Sequence, residues 1–119
     1  MSALPPDRYR ILRSLVELDQ PLEIVLHGLA SVAWDSEVEL MILRPTHVVE
    51  ALKRFKSGAL DADAIERWAS AIEGRDDIGL DHGNSVLLKA VIFDLANPTL
   101  QGKLSDEVAD RWIERLNAV

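Results

Sequence analysis

The chain has 119 residues, of which 48% are hydrophobic and none is cysteine, and its net charge is −7. This length fits one domain spanning residues 1–119, because two separate cores would each be too small. The lack of cysteine excludes a disulfide framework, a thiolate zinc site and a cysteine nucleophile. Aromatic residues make up only 5% of the chain, so aliphatic side chains must fill the core, which favours helices over a β-sandwich.

The negative charge is concentrated in the second half of the chain. Residues 61–119 carry twelve acids and six bases, and residues 61–82 alone hold seven acids against two arginines. Such a field repels phosphate backbones and anionic lipids and attracts basic surfaces. We therefore expect a basic protein partner, with no direct binding to nucleic acid or to a membrane.

Targeting segments are not recognisable in the sequence. Residues 2–8 lack the apolar run of a secretory signal, and no stretch approaches the roughly 20 apolar residues of a membrane span. The expected location is the cytoplasm.

The first half of the chain predicts three helices and one extended segment. Apolar residues at spacings of three and four define the helices, and alternation over residues 37–43 predicts a short extended segment. The predicted bounds are Pro5-Pro6-Asp7 to about Asp19 for the first helix, Pro21 to Ala33 for the second, and a Thr46 N-cap to Gly58 for the third.

The second half predicts three further helices separated by a loop over residues 75–83. Capping residues and helix breakers mark the bounds. These are Asp61 and Gly74 for the first of the three, Asn84 or Ser85 and Asn97-Pro98 for the second, and Ser105 for the last. The expected fold is mainly α, a compact bundle of five to six short helices.

No arrangement of residues indicates catalysis, and we expect neither an enzyme nor a bound cofactor. The serines lie in no nucleophile elbow, and the glycines form no phosphate-binding loop. His82 lies in the acidic loop with Asp76, Asp77 and Asp81, a set that could ligate a divalent metal. Because the spacing matches no calcium loop, we expect no metal there, and the loop acids are either solvated turn residues or contacts for a partner.

The three tryptophans have different expected roles. Trp68 and Trp112 lie on apolar helical stripes and are expected in the core. Trp34 lies at a helix end beside Asp35, where it is free to act as a surface anchor.

The stretch from about Trp34 to Leu104 resembles a group of small bacterial immunity proteins. The motifs that carry the resemblance are Trp34-Asp35-Ser36, Arg54-Phe55, Gly58, Trp68-Ala69, the segment Ile-Glu-Gly-Arg-Asp-Asp-Ile over residues 72–78, and Leu95-Ala96-Asn97-Pro98. The pattern is similar to the helical immunity proteins of colicin D and of contact-dependent growth inhibition systems.

This resemblance implies that the chain binds the C-terminal toxin domain of a delivered effector, often a basic nuclease, and covers its active site. The expected contacts are the acids of residues 61–82 with two further residues: Asp61, Asp63, Glu66, Glu73, Asp76, Asp77, Asp81, His82 and Trp34. A structural role for the 73–77 segment stays open, with Arg75 pairing to Asp76, Asp77 or Glu73 to fix the turn.

Two other functions remain open on the sequence. The chain could be an acidic helical interaction or regulatory module that binds a basic protein outside any toxin system. It could also be a metal-dependent enzyme that uses the loop from Asp76 to His82.

Overall fold

The computed structural model describes the backbone of residues 5–119 and the side chains of residues 8–119. Residues 2–4, part of the stretch expected to lack a secretory signal, lie outside this range. The described part of the chain is mainly α-helical, as predicted, and also contains one two-stranded parallel sheet. No helix in this part is both long enough and apolar enough to cross a membrane.

The elements follow one another in the chain with short connections, except for the eleven residues 30–40 between α2 and β1. They are α1 (Pro5–Glu17), α2 (Leu22–Leu29), β1 (Met41–Leu43), α3 (Pro45–Ser57), α4 (Ala62–Ile72), β2 (Ile78–Leu80), a 3₁₀ turn (His82–Asn84), α5 (Ser85–Ala96), α6 (Pro98–Gln101) and α7 (Asp106–Asn117). The four-residue α6 was not predicted.

Several helix ends form as their capping residues predict. The carboxylate of Asp61 accepts a hydrogen bond from the Ala64 N–H at 2.8 Å, and the Ser105 hydroxyl accepts one from Val108 at 3.2 Å. Gly58 ends α3 in the left-handed conformation, with φ +88°, where a side chain would be strained. These helix ends form as predicted because each depends on only a few neighbouring residues.

The start of α3 differs from the prediction. The helix begins at Pro45 with Arg44 as N-cap, so the prediction of Thr46 as N-cap was wrong. Proline is favoured in the first helical position, where its missing N–H has no partner to lose. The half-buried His47 then accepts a hydrogen bond from the Arg44 N–H through Nδ1 at 2.9 Å.

The parallel sheet corrects two further expectations. Only Met41–Leu43 of the predicted extended segment forms a strand, and it pairs with Ile78–Leu80, inside the stretch predicted as loop. A strand of three residues with a central glycine carries little periodic signal, and its partner lies more than 30 residues away. Helix α2 also ends at Leu29, four residues before the predicted Ala33.

The buried apolar side chains form one cluster that joins the long helices and β1. Trp68 lies at its centre with no exposed surface, and its indole N–H donates to the Leu15 carbonyl at 2.7 Å. Trp112 is only half-buried and donates to the Asp94 carboxylate at 2.9 Å, with the Arg115 guanidinium 4.6 Å above its ring. The core role predicted for Trp68 is confirmed, and Trp112 lies at the edge of the core.

Candidate protein-binding surface

A buried carboxylate between two arginines organises one end of the molecule. Asp77 has no exposed surface. Arg75 donates to its two oxygens at 2.9 and 3.0 Å, and Arg8 of α1 donates from Nε at 3.0 Å. Arg75 is itself almost fully buried, with 7% of its side chain exposed. We call these three residues the Asp77 cluster.

The electrostatics of the cluster keep Asp77 ionised. Burial on its own would raise the pKa of Asp77, but hydrogen bonds from Arg75 and Arg8 and their positive charges outweigh it, and the pKa is lowered. Arg75 pairs with Asp77 rather than with Asp76 or Glu73, which resolves the alternatives for this turn. The expectation that Asp77 contacts a partner is corrected, because a side chain without exposed surface cannot do so in this conformation.

The same two arginines hold the backbone around Trp34. Arg8 donates to the carbonyls of Ala33 and Asp35 at 3.1 and 2.8 Å, and Arg75 donates to that of Ala33 at 2.8 Å. The carbonyl of Trp34 accepts from the Asp76 N–H at 3.0 Å. Three consecutive carbonyls of a segment without regular structure are therefore fixed by the Asp77 cluster and its neighbour.

The side chain of Trp34 remains outside this network and is 63% exposed. It borders a groove of about 600 Å³ between the end of α2 and the end of α4, which is also lined by Glu73 and Arg75. Asp35, the next residue in the chain, and Asp76, whose N–H donates to the Trp34 carbonyl, are also exposed. Because Arg75 is paired with Asp77, its charge does not neutralise the three exposed acids of this region, which also contains the exposed ring of Trp34. We call Trp34, Asp35, Glu73 and Asp76 the Trp34 surface.

The other predicted contact residues lie elsewhere. Asp61, Asp63 and Glu66 are at the N-terminal end of α4, whose eleven residues extend for roughly 16 Å at about 1.5 Å per residue. Asp61 is engaged as N-cap, and Asp63 pairs with Arg67 at 3.2 Å. The acidic segment therefore divides between the two ends of α4.

The side chains of the acidic loop are not arranged as ligands around a common metal position. Asp81 is half-buried and accepts from the Asn84 amide at 2.9 Å, His82 is exposed, and Asp77 is held by two guanidinium groups. Among residues whose side chains are described, no three histidine or acidic residues are placed to hold a metal ion. The hypothesis of a metal-dependent enzyme finds no geometric support in this loop.

Trp34, Glu73 and Asp76 of the Trp34 surface were predicted as contacts from the sequence, whereas Asp35 of that surface and Arg8 of the Asp77 cluster were missed. Asp35 had a usable signal in the sequence, since it is an acid next to a tryptophan at the predicted end of a helix. Arg8 had none, because it lies 69 residues before the carboxylate that it contacts.

Comparison with models of known protein families, with curated proteins and with solved structures found no significant match.

Proposed function

We propose that this chain is an immunity protein that binds a basic toxin domain through the Trp34 surface and blocks its active site. The observation that carries the proposal is an exposed tryptophan on a backbone held at three consecutive carbonyls, with exposed acids at the next residue, Asp35, at Glu73 of the same groove, and at Asp76, which bonds to the Trp34 carbonyl. Tryptophan is enriched among residues that dominate binding energy. A segment already fixed before binding loses little conformational entropy on association.

The charge of the surface supports a basic partner. A nuclease must be positive where its substrate phosphates bind, and Asp35, Glu73 and Asp76 offer carboxylates in their place. Complementary charge speeds association and discriminates against wrong partners. The net charge of −7 adds a long-range attraction, which salt weakens.

The toxin itself is suggested by the resemblance to colicin D and growth-inhibition immunity proteins. The motif over residues 72–78 contains Glu73 and Asp76 of the Trp34 surface together with Arg75 and Asp77 beneath it. The part of the chain that carries the resemblance thus includes candidate contacts and two of the three residues of the Asp77 cluster that position them.

Co-expression tests the proposal directly. The chain is produced together with the C-terminal domain encoded by the gene immediately upstream, and growth is followed. We expect growth arrest by that domain alone and protection by the intact chain. Protection is expected to fail with Trp34→Ala combined with Asp76→Lys, and to persist with Ile24→Ala combined with Glu114→Lys, a matched pair of exposed sites elsewhere.

A regulatory module that binds a basic protein outside a toxin system would use the same surface. The charge and the exposed tryptophan favour it equally. The two functions differ in the co-expression result: an upstream product that arrests no growth and forms no complex would favour the regulatory module.

A further inference from the structure

The outer edge of β2 carries backbone groups that the sheet does not use. Met41 and Leu43 of β1 lie opposite Ile78 and Leu80 of β2 in parallel register. In this register the backbone groups of Met41 and Leu43 bond to residues 77, 79 and 81, within and beside the other strand. The Met41 N–H donates to the Asp77 carbonyl, and the Asp81 N–H donates to the Leu43 carbonyl. The N–H and C=O groups of Ile78 and Leu80 therefore point away from β1. Within the described residues no hydrogen-bond partner is found for these two N–H groups.

An apolar groove of about 600 Å³ lies along this edge. It is lined by Ile78 and Leu80 but by no residue of β1, which places it on the outer side of β2. Its opposite wall is α5, where Val86 and Phe93 are 84% and 43% exposed. Ile78 is 7% exposed and Leu80 is half-buried, so the side chains of β2 pack inwards while its outer backbone groups have no strand partner in the described part of the chain. An unpaired strand edge beside exposed apolar side chains is the arrangement to which an extended peptide adds as a further strand.

The charges around the β2 edge indicate which kind of partner can bind there. Glu73 lines the groove, Asp76 is exposed just before β2, and Asp81 is half-exposed just after it. Lys89 of α5 is the cation on the rim, while Arg75 is engaged by Asp77. A second copy of this chain would bring the same acids to the interface, and like charges would oppose it.

We propose that the edge of β2 binds an extended segment of a partner protein, with alternating apolar and basic residues, as a third strand. Backbone hydrogen bonds to Ile78 and Leu80 provide affinity, and apolar side chains enter the groove towards Val86 and Phe93. Basic side chains lie near Glu73, Asp76 and Asp81. The partner's identity rests on the proposed function, whereas the strand geometry rests on the sheet alone.

The test uses a synthetic peptide, acetyl-Lys-Val-Arg-Val-Lys-Val-amide, and the amide resonances of the intact chain. We expect the N–H signals of Ile78 and Leu80 to move on titration to roughly 1 mM, a range suited to the low affinity of short segments that order on binding. Gly79, whose N–H faces β1, is expected to move less and serves as an internal control.

Backbone methylation separates strand addition from side-chain binding. One peptide is N-methylated on its valines and another on its basic residues, because alternate N–H groups of a strand face opposite edges. We expect one of the two, and not the other, to lose affinity by about tenfold or more. Equal affinity of both, or equal loss in both, would overturn the proposal.

A charge placed in the groove gives a second, independent readout. Val86→Lys is expected to weaken peptide binding about tenfold, whereas Ile24→Lys, the same change at an exposed site on α2, is expected to leave it unchanged. No movement of the Ile78 and Leu80 signals, or concentration-dependent self-association through this edge instead of peptide binding, would contradict the proposal. Neither result depends on the toxin, so growth protection still decides the proposed function separately.

Discussion

Arg8 in the first turns of α1 donates from Nε to Oδ2 of Asp77 at 3.0 Å, across 69 residues of sequence. This contact joins the first helix to the turn that leads into β2. The same guanidinium also reaches the carbonyls of Ala33 and Asp35. One arginine therefore connects α1, the turn before β2 and the segment that presents Trp34.

We expect Asp77→Asn to destabilise the fold strongly. It leaves Arg8 and Arg75 without their shared negative partner, and removing one member of a buried charge pair costs about 3–5 kcal/mol. Urea unfolding measures the loss in free energy of unfolding. Asp76→Asn is the control, since an exposed neighbour is expected to change the value by less than about 0.5 kcal/mol. Similar unfolding curves for both variants would contradict the structural role of Asp77.

His47 is expected to make stability depend on pH. Burial lowers the pKa of His47 below its usual value of 6.5, with a smaller lowering from Arg44 opposed by Glu17. Just below pH 6.5 the unfolded chain therefore binds more protons than the folded chain. The contribution of neutral His47 to the free energy of unfolding is complete above pH 6.5 and is lost as the pH falls. Protonation of Nδ1 would also remove the acceptor for the Arg44 N–H.

The variant His47→Gln isolates this effect. Glutamine at the third helical position can keep the contact to the N-cap backbone but does not titrate. Unfolding followed between pH 7 and about 5 is expected to show a smaller loss of stability in His47→Gln than in the intact chain. His82→Gln, at an exposed site, is expected to keep the full loss. If His82→Gln shows the smaller loss of stability and His47→Gln shows the full loss, the pH dependence does not arise from His47.

Asp61 is expected to act as a helix cap rather than as an essential charge. Its carboxylate accepts from the Ala64 N–H, so Asp61→Ala should lower the free energy of unfolding by about 1 kcal/mol. Asp61→Asn keeps an acceptor and is expected to unfold almost like the intact chain. Thermal or urea unfolding compares the two. If protection from the toxin fails in Asp61→Asn, the charge of Asp61 has a role in binding that the Trp34 surface does not cover.

Trp34→Ala is expected to separate binding from folding. Because the side chain is 63% exposed and its backbone is held by Arg8 and Arg75, its loss should change stability by less than about 0.5 kcal/mol. Binding to the upstream domain should fall by at least about 2 kcal/mol if Trp34 is a dominant contact. Unfolding and calorimetric titration of the same preparation provide both values, and a large loss of stability would show that Trp34 belongs to the core.

Local features of this fold could be predicted from the sequence, and long-range ones could not. Asp61, Ser105 and Gly58 mark helix ends through contacts within a few residues, and the helices formed accordingly. The Thr46 prediction was wrong because Pro45 is itself a favourable first helical residue. Strand β2 has only three residues, and its pairing with β1 depends on tertiary contacts.

The candidate site shows the same division. Exposure of Trp34 was predicted from its position at the expected end of a helix, and the exposure is confirmed although α2 ends five residues earlier, at Leu29. The burial of Asp77 was not predicted. Asp76 and Asp77 are equivalent in the sequence, and they differ only in the side chains that contact them in the fold. Arg8 and Arg75 converge on Asp77, while Asp76 remains exposed.

The central claim is that the Trp34 surface binds a basic toxin domain. Its most direct test is the affinity of the purified C-terminal domain encoded upstream for the intact chain and for Glu73→Lys combined with Asp76→Lys, at two salt concentrations. We predict a one-to-one complex whose association slows at higher salt, and a charge-reversed variant that associates more slowly and depends less on salt. An intact chain that forms no complex, or a variant that binds as fast as the intact chain at low salt, would contradict the claim.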